Sequence, residues 1–273
     1  MIKRILIAGL FIFVAVFTAS ILETSRDASV ARIIYEAVDN LTHPEFYLAL
    51  ANPKIAYVKV TEGMRKEQIA DMMEKRFDWD LKDTSNFYSY DELREKKLEG
   101  KYFPDIYLVS KDISGQDFKK LMFDRFDAKT KNIKTKISKG KINMDTALTI
   151  ASIIQREAAG KKDMNLISGI IWNRLFNGMS LQMDATVQYA KGSEENGWWP
   201  KVTGKDISIE SPYNTYQIKG LPPSPISNPG IAAIDAALSP QKTNCMFYIH
   251  KSGQIYCSKT YEDHKKNIAK YLL

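Results

Sequence analysis

The stretch Met144–Gly160, MDTALTIASIIQREAAG, constrains this chain more than any other. Apolar residues recur at Ala147, Ile150, Ala151, Ile154 and Ala158, the spacing of a helical stripe that has to be buried. A chain holding such a helix must wrap a core around it. Asn143 or Asp145 can cap its start, and Gly160 is placed to end it in a left-handed turn. One residue breaks the pattern. Glu157 falls a turn after Ile153 and Ile154 and two turns after Ile150, so it projects from the apolar face or its margin. It also lies in the last turn, where the helix dipole disfavours negative charge. Desolvation and the dipole both push a carboxyl pKa upward, the condition for a general acid at neutral pH. The same spacing fits a Glu that snorkels to solvent or pairs with Lys or Arg, and the pattern alone does not decide between them.

At 273 residues the chain can hold one large or two modest domains, and 44% hydrophobic with 11% aromatic residues excludes global disorder. A net charge of +7 suits nucleic acid, anionic lipid headgroups or an acidic polymer. The absence of zinc-finger spacing, a Gly-rich phosphate loop or an RNP-like motif argues against nucleic acid. Lys3 and Arg4 precede an uncharged, mostly apolar run from Ile5 to Leu22, about the minimum that spans a bilayer core. The positive flank predicts a single-pass anchor over 1–25, with a cytoplasmic N-terminus and everything after Glu23 outside. A signal peptide cleaved near Thr18-Ala19-Ser20 is the rival, and a run longer than most signal h-regions favours the anchor.

Residues 26–53 carry a helical pattern punctuated by Pro44 and Pro53, a stalk or packing helix without chemistry. From Lys54, IAYVKVTEG alternates as a strand and turns at Gly63. Met64–Phe77 then reads as a helix, Thr84–Tyr90 as a second helical piece and KYFPDIYLVS as a returning strand. Ser110–Ala128 turns into a helix on Phe118, Leu121, Met122 and Phe126, and the basic Lys129–Lys141 reads as an exposed connection or frayed strand. A helix over Asp163–Phe176 buries Leu166, Ile167, Ile170, Ile171 and Leu175 and stops at Asn177-Gly178.

A hairpin with a helix closes the chain. Its turn at Ser252-Gly253 sets Cys257 opposite Tyr248 and not opposite Cys245, which argues against a disulfide even in an oxidising compartment. His43, His250 and His264 show no metal-ligand spacing with the cysteines, so no metal is expected. No Gly-x-Ser-x-Gly elbow or Cys/His pair suggests a nucleophilic hydrolase. The chemistry must rest on carboxylates.

Four ordered segments carry a resemblance: LEGKYFPDIY (98–107), ASIIQREA (151–158), NRL with GMSLQMDATVQY (173–189) and SPYNTYQIKGLPPSPISNPG (211–230). From about Lys59 to its C-terminus the chain resembles the YceG-like endolytic murein (peptidoglycan) lytic transglycosylases. That family usually has Asp-Pro where this chain has Asp184-Ala185, a departure expected to bear on the turn's rigidity and not on the chemistry. The resemblance implies one essential Glu, matched by Glu157. It would protonate the glycosidic oxygen after N-acetylmuramic acid and then act as base on the muramyl 6-hydroxyl, closing a 1,6-anhydro ring without water. It also implies substrate contacts from Gln182, Asp184, Ser211, Tyr213, Asn214, Thr215 and Tyr216, with Glu99 and Arg174 as further candidates.

Read as residues alone, Asp184 can equally cap a helical turn, the proline-rich loop can be merely ordered and Glu99 can form a salt bridge. VTEGMRKEQIADMM looks like the opening of the LysM-like unit that the family carries. The expected architecture is α+β: an N-terminal transmembrane helix, a LysM-like βααβ unit over 54–112 and a mixed α/β catalytic domain over 113–273. The loop 211–229 is expected to fold back over the C-terminal end of the Glu157 helix. The implied partners are peptidoglycan strands, the membrane and, as candidates, peptidoglycan synthases, with no cofactor. The rival reading is a non-catalytic wall-binding or division-complex scaffold, which would tolerate any residue at position 157.

Overall fold

The computed structural model describes residues 52–88, 98–138 and 142–273. The anchor segment and nearly all of the stalk lie outside the described residues, and among those described no helix is long and apolar enough to cross a membrane. The chain divides into two compact units, Met1–Val58 with Leu108–Lys111, and Lys59–Tyr107 with Asp112–Leu273. Described residues of the first unit supply most of β1 (Ile55–Lys59) and β2 (Ile106–Ser110), which pair in a two-stranded sheet. Val58 and Val109 are buried there, and the Lys111 N–H donates to the Lys54 carbonyl.

The second unit begins with α1 (Lys66–Phe77) and α2 (Leu81–Tyr88), so the strand–helix–helix–strand order follows the sequence pattern. Phe87 is enclosed by Trp79, Tyr102 and Phe118, with ring centroids 5.4, 4.8 and 6.1 Å away. This aromatic packing supplies the buried area that short helices cannot provide alone. Phe118 belongs to α3 (Gly115–Lys129), whose first residue must be glycine because the Asp83 carbonyl occupies the space of any Cβ. The basic stretch after it is neither connection nor strand but α4 (Lys131–Ser138). Ile133 and Ile137, four apart, lie on its buried side, a period that the surrounding lysines mask.

The helix α5 (Met144–Glu157) is capped by Asn143, whose side chain accepts the Thr146 N–H. It is buried all round from Ala147 to Ile154, not along one stripe. Its small polar residues make this possible. Ser152 Oγ donates to the Thr149 carbonyl and accepts the Ile226 N–H at 3.0 Å, tying the middle of the helix to the proline-rich loop. The helix also ends sooner than expected. Ala158 leaves helical geometry at ψ 133°, and Gly160 is extended and begins the next helix, α6 (Lys161–Phe176), instead of forming a left-handed cap. Packed about α5 and α6 are α7 (Asp184–Lys191) and α8 (Ile231–Leu238).

One face of α6 steers the end of the chain. Asn165, Gly169 and Asn173 are four apart. Asn165 binds the backbone of Ser239 and Gln241, Gly169 lets the Gln241 carbonyl approach, and Asn173 Nδ2 donates to the carbonyls of Thr243 and Cys245. The segment so held leads into β3 (Phe247–Lys251), β4 (Gln254–Ser258) and α9 (Tyr261–Tyr271). The hairpin is antiparallel with Tyr248 opposite Cys257, the register expected from its turn, where Ser252 and Gly253 have φ of 51° and 72°.

The expectation of no disulfide is wrong. Cys245 and Cys257 are joined, with Cα atoms 5.7 Å apart. The register argument assumed that the strand continues back to Cys245, whereas β3 begins at Phe247. Asn173 holds the Cys245 carbonyl and the Thr243 hydroxyl accepts the Cys245 N–H, turning Cys245 off the strand line to sit beside Cys257.

Candidate active site

Glu157 ends α5 beside a cleft of about 400 Å³ that is also lined by Arg174, Gln182, Asp184, Tyr216 and Tyr248. Both carboxyl oxygens are engaged. Oε1 accepts the Ala185 N–H at 3.2 Å and Oε2 accepts the Tyr248 hydroxyl at 2.8 Å. Burial pushes the Glu157 carboxyl above its ordinary value, and the neighbouring Asp184 charge adds to this. The hydrogen bonds from Tyr248 and Ala185 and the charge of His250 act the other way without cancelling it. The unfavourable C-terminal end of α5 is met here by the first turn of α7, whose positive end faces the carboxyl through the Ala185 N–H. Alanine in place of the family's proline therefore has a chemical consequence, since proline has no N–H to donate.

The loop between α6 and α7 is shaped by Arg174. Its guanidinium donates to the carbonyls of Ser180, Leu181 and Met246 and, at 3.2 Å, to Gln182 Oε1. Gln182 is held at φ 53°, the left-handed region that residues with a Cβ rarely adopt, and its N–H donates to the Thr215 carbonyl. Such strain is kept only where the surroundings over-determine it, and it leaves the Gln182 side chain exposed in the cleft. Asp184 is exposed beside it and accepts the Tyr216 hydroxyl at 2.7 Å. Burial and this bond push the Tyr216 phenol up, so it remains a donor.

The structure thus gathers Glu157, Arg174, Gln182, Asp184 and Tyr216 about one cleft. The other loop residues stand behind it. Asn214 is fully buried, donating to the carbonyls of Ile207 and Ile209 and accepting the Tyr216 N–H. Thr215 accepts the Met183 N–H and lies 2.8 Å from the Thr186 hydroxyl, splicing the loop to the start of α7. Tyr213 packs on Tyr189 and bonds the Ser224 hydroxyl, and the Ser211 hydroxyl accepts the Tyr213 N–H. Glu99 lines a separate cavity of about 290 Å³. It is buried without a salt bridge among the described residues, accepting the Asn228 amide at 2.6 Å and the Lys66 N–H at 3.2 Å.

Sequence reasoning missed the wall supplied by the hairpin and α9: Phe247, Tyr248, Tyr261 and His264. The Phe247 and His264 rings stack at 5.3 Å and the Phe247 and Tyr261 rings lie at 5.8 Å, an aromatic surface of the kind sugars stack on. The available signal was alternation. Tyr248 and His250 share one strand face, and a phenol on an inward face needs a polar partner.

Comparison with known proteins gives the family. The YceG-like family model matches residues 6–270. The chain is 35% identical over 218 residues to the endolytic murein transglycosylase of Bacillus subtilis (strain 168), across 78% of this chain and 59% of that protein. It is 29% identical over 179 residues to the endolytic murein transglycosylase of Streptococcus pneumoniae serotype 2, across 64% of this chain and 32% of that one. It therefore spans less than two thirds of the length of either relative. A crystal structure of a yceG-like protein from Listeria monocytogenes superposes with a TM-score of 0.64 at 29% identity, covering 85% of this chain and 80% of that one. The chain belongs to the YceG-like family.

Proposed function

We propose that this chain is a lytic transglycosylase of peptidoglycan with Glu157 as its single acid–base residue, cutting within strands to terminate or trim them. The observation that carries this reading is the Glu157 carboxyl itself: beside a cleft, raised in pKa by burial, and bonded through both oxygens. In the first step the Glu157 O–H gives its proton to the glycosidic oxygen. The bond from that oxygen to the anomeric carbon of N-acetylmuramic acid breaks and its electron pair stays with the leaving N-acetylglucosamine. In the second, the Glu157 carboxylate takes the proton of the 6-hydroxyl as that oxygen bonds to the anomeric carbon. The ring closes, Glu157 is a neutral acid again and no water is consumed. Ordinary glycosidases need a second carboxyl as nucleophile or water-activating base. Here Asp184 accepts the Tyr216 hydroxyl and serves to position substrate with Gln182, Tyr216 and Arg174. Ser211, Tyr213, Asn214 and Thr215 support that wall from behind. The names of the relatives favour the same activity.

In this reading Ile5–Leu22 anchors the protein with the N-terminus cytoplasmic, 54–112 is a LysM-like unit that holds or positions glycan, 113–273 is the catalytic domain and synthases are candidate partners. The decisive experiment is mass analysis of purified glycan strands after incubation with the protein. We expect new ends bearing 1,6-anhydro-N-acetylmuramic acid. Ends heavier by one water would make it a hydrolase, and intact strands would leave only the scaffold reading.

A further inference from the structure

We propose that Tyr248 is the positioning residue of this site, fixing Oε2 of Glu157 as the accepting oxygen so that Oε1 gives and takes the proton. The inference rests on the Glu157 acid–base reading. Its geometric basis is that Glu157 meets two donors of different kinds. The Ala185 N–H is backbone, 3.2 Å from Oε1, while the Tyr248 hydroxyl is 2.8 Å from Oε2. In a neutral carboxylic acid the carbonyl oxygen is the stronger acceptor and the hydroxyl oxygen the weaker. An O–H donor normally stands about 0.2 Å closer to its acceptor than an N–H donor. Allowing for that, the phenol contact at 2.8 Å has ordinary length while the amide contact at 3.2 Å is at the long limit of its kind, so Oε2 is the better-held acceptor and the proton is assigned to Oε1. Tyr248 is a reliable donor because burial and the adjacent Glu157 keep its phenol well above the ordinary value.

The phenol is placed by the fold, not by substrate. Tyr248 sits opposite Cys257 in the hairpin, and the Cys245–Cys257 bond ties that strand pair at the same level. The other groups facing Glu157 are spread over several elements. Asp184 on α7 raises the carboxyl and His250 on β3 lowers it. Arg156 on α5 and Tyr216 on the loop are coupled to its charge. Among the described residues the carboxyl's hydrogen bonds come from Tyr248 and Ala185 and from none of these groups. A hydrogen bond to a charged acceptor stabilises the carboxylate more than the acid. Losing the Tyr248 hydroxyl should raise the Glu157 pKa and remove the preference for one oxygen.

The test is the pH dependence of anhydromuramyl product release, with Glu157→Gln as control. An active wild type and an inactive Glu157→Gln protein uphold the underlying reading, whatever Tyr248 does. Tyr248→Phe should then keep its fold. It should lower kcat about tenfold and move the alkaline limb of the profile up by about one pH unit, the effect of one lost charge-assisted hydrogen bond. Ala185→Pro, which removes the other donor, should move the limb up by less. If Tyr248→Phe does not fold, 3,5-difluorotyrosine at position 248, a stronger donor, should move the limb down. A Tyr248→Phe profile superimposed on the wild type, with or without lost kcat, would overturn the inference. So would an unmoved profile with difluorotyrosine, or a larger shift from Ala185→Pro than from Tyr248→Phe.

Discussion

At the scale of the residue, the question is what one carboxyl can do where Glu157 stands. Glu157→Gln keeps the shape and removes the exchangeable proton. General acid–base assistance contributes roughly 10²–10⁴-fold, and one group here serves both steps, so turnover should fall by about 10⁴ or more. Folding should survive. The site presents two donors, the Ala185 N–H and the Tyr248 hydroxyl, and glutamine offers one accepting oxygen. The phenol can rotate to accept from the new amide, so neither is stranded. Stability near neutral pH should match the wild type or exceed it slightly, because ionised Glu157 carries a desolvation cost that glutamine does not. Asp184→Asn keeps an acceptor for Tyr216 and should cost less activity than Glu157→Gln. Activity and thermal melting measured on both variants check this, and a Glu157→Gln protein that turns over near the wild-type rate would move the acid elsewhere.

At the scale of the element, spacing was legible wherever a residue's fate depends on its own turn or strand. The presence of helices α5 and α6, the Asn177-Gly178 stop and the hairpin register are local facts, while the burial of α5 on every side is not. Gly178 indeed takes a φ of +63°. Fates set by partners outside a residue's own turn or strand were not legible. Asn214 reads as a cleft residue because it is polar in a polar loop, yet it is spent on the carbonyls of Ile207 and Ile209. Tyr248 carries no mark in its neighbours that Glu157 would be its partner. The disulfide was missed for the same reason, since α6 and not the hairpin bends Cys245 into reach.

That bond makes a prediction of its own at this scale. It closes a loop of sequence separation 12, for which chain entropy suggests about 2–3 kcal/mol. The paired replacement Cys245→Ser with Cys257→Ser should lower the melting temperature by roughly 5–10 °C. Wild type in dithiothreitol should fall to the same value. A melting temperature unmoved by either treatment would mean that the α6 contacts hold the hairpin by themselves.

At the scale of the whole molecule, Asn228 and Glu99 join three segments far apart in sequence. The Asn228 side chain accepts the N–H groups of Gly100 and Tyr102 and donates to the Met64 carbonyl and to Glu99 Oε1. Its backbone exchanges hydrogen bonds with Gly63 and Met64. Glu99 in turn accepts the first N–H of α1, at Lys66. Burial, and then the charge of Glu67, push the Glu99 carboxyl up to about 8, against the opposing pull of Lys66 and Arg65. The folded protein therefore holds this proton more tightly than the unfolded chain does. The stabilisation is fully present below the unfolded value near 4.5 and is lost as pH rises towards 8.

Glu99→Gln should remove that dependence with little disturbance. Oε1 takes both the Asn228 amide and the closer Lys66 contact, so the glutamine oxygen fits there and its NH₂ falls at Oε2. Denaturant unfolding from pH 5 to pH 9 should show the two proteins converging at the acid end. The wild type should become progressively the less stable as Glu99 ionises. Glu157 shifts in the same direction but is present in both proteins and cancels in the comparison. A wild-type minus Glu99→Gln difference that is constant from pH 5 to pH 9 would mean that Glu99 is already ionised in the fold. The buried junction of Asn228 with α1 would then have to hold a charge that no ion pair of Glu99 offsets among the described residues.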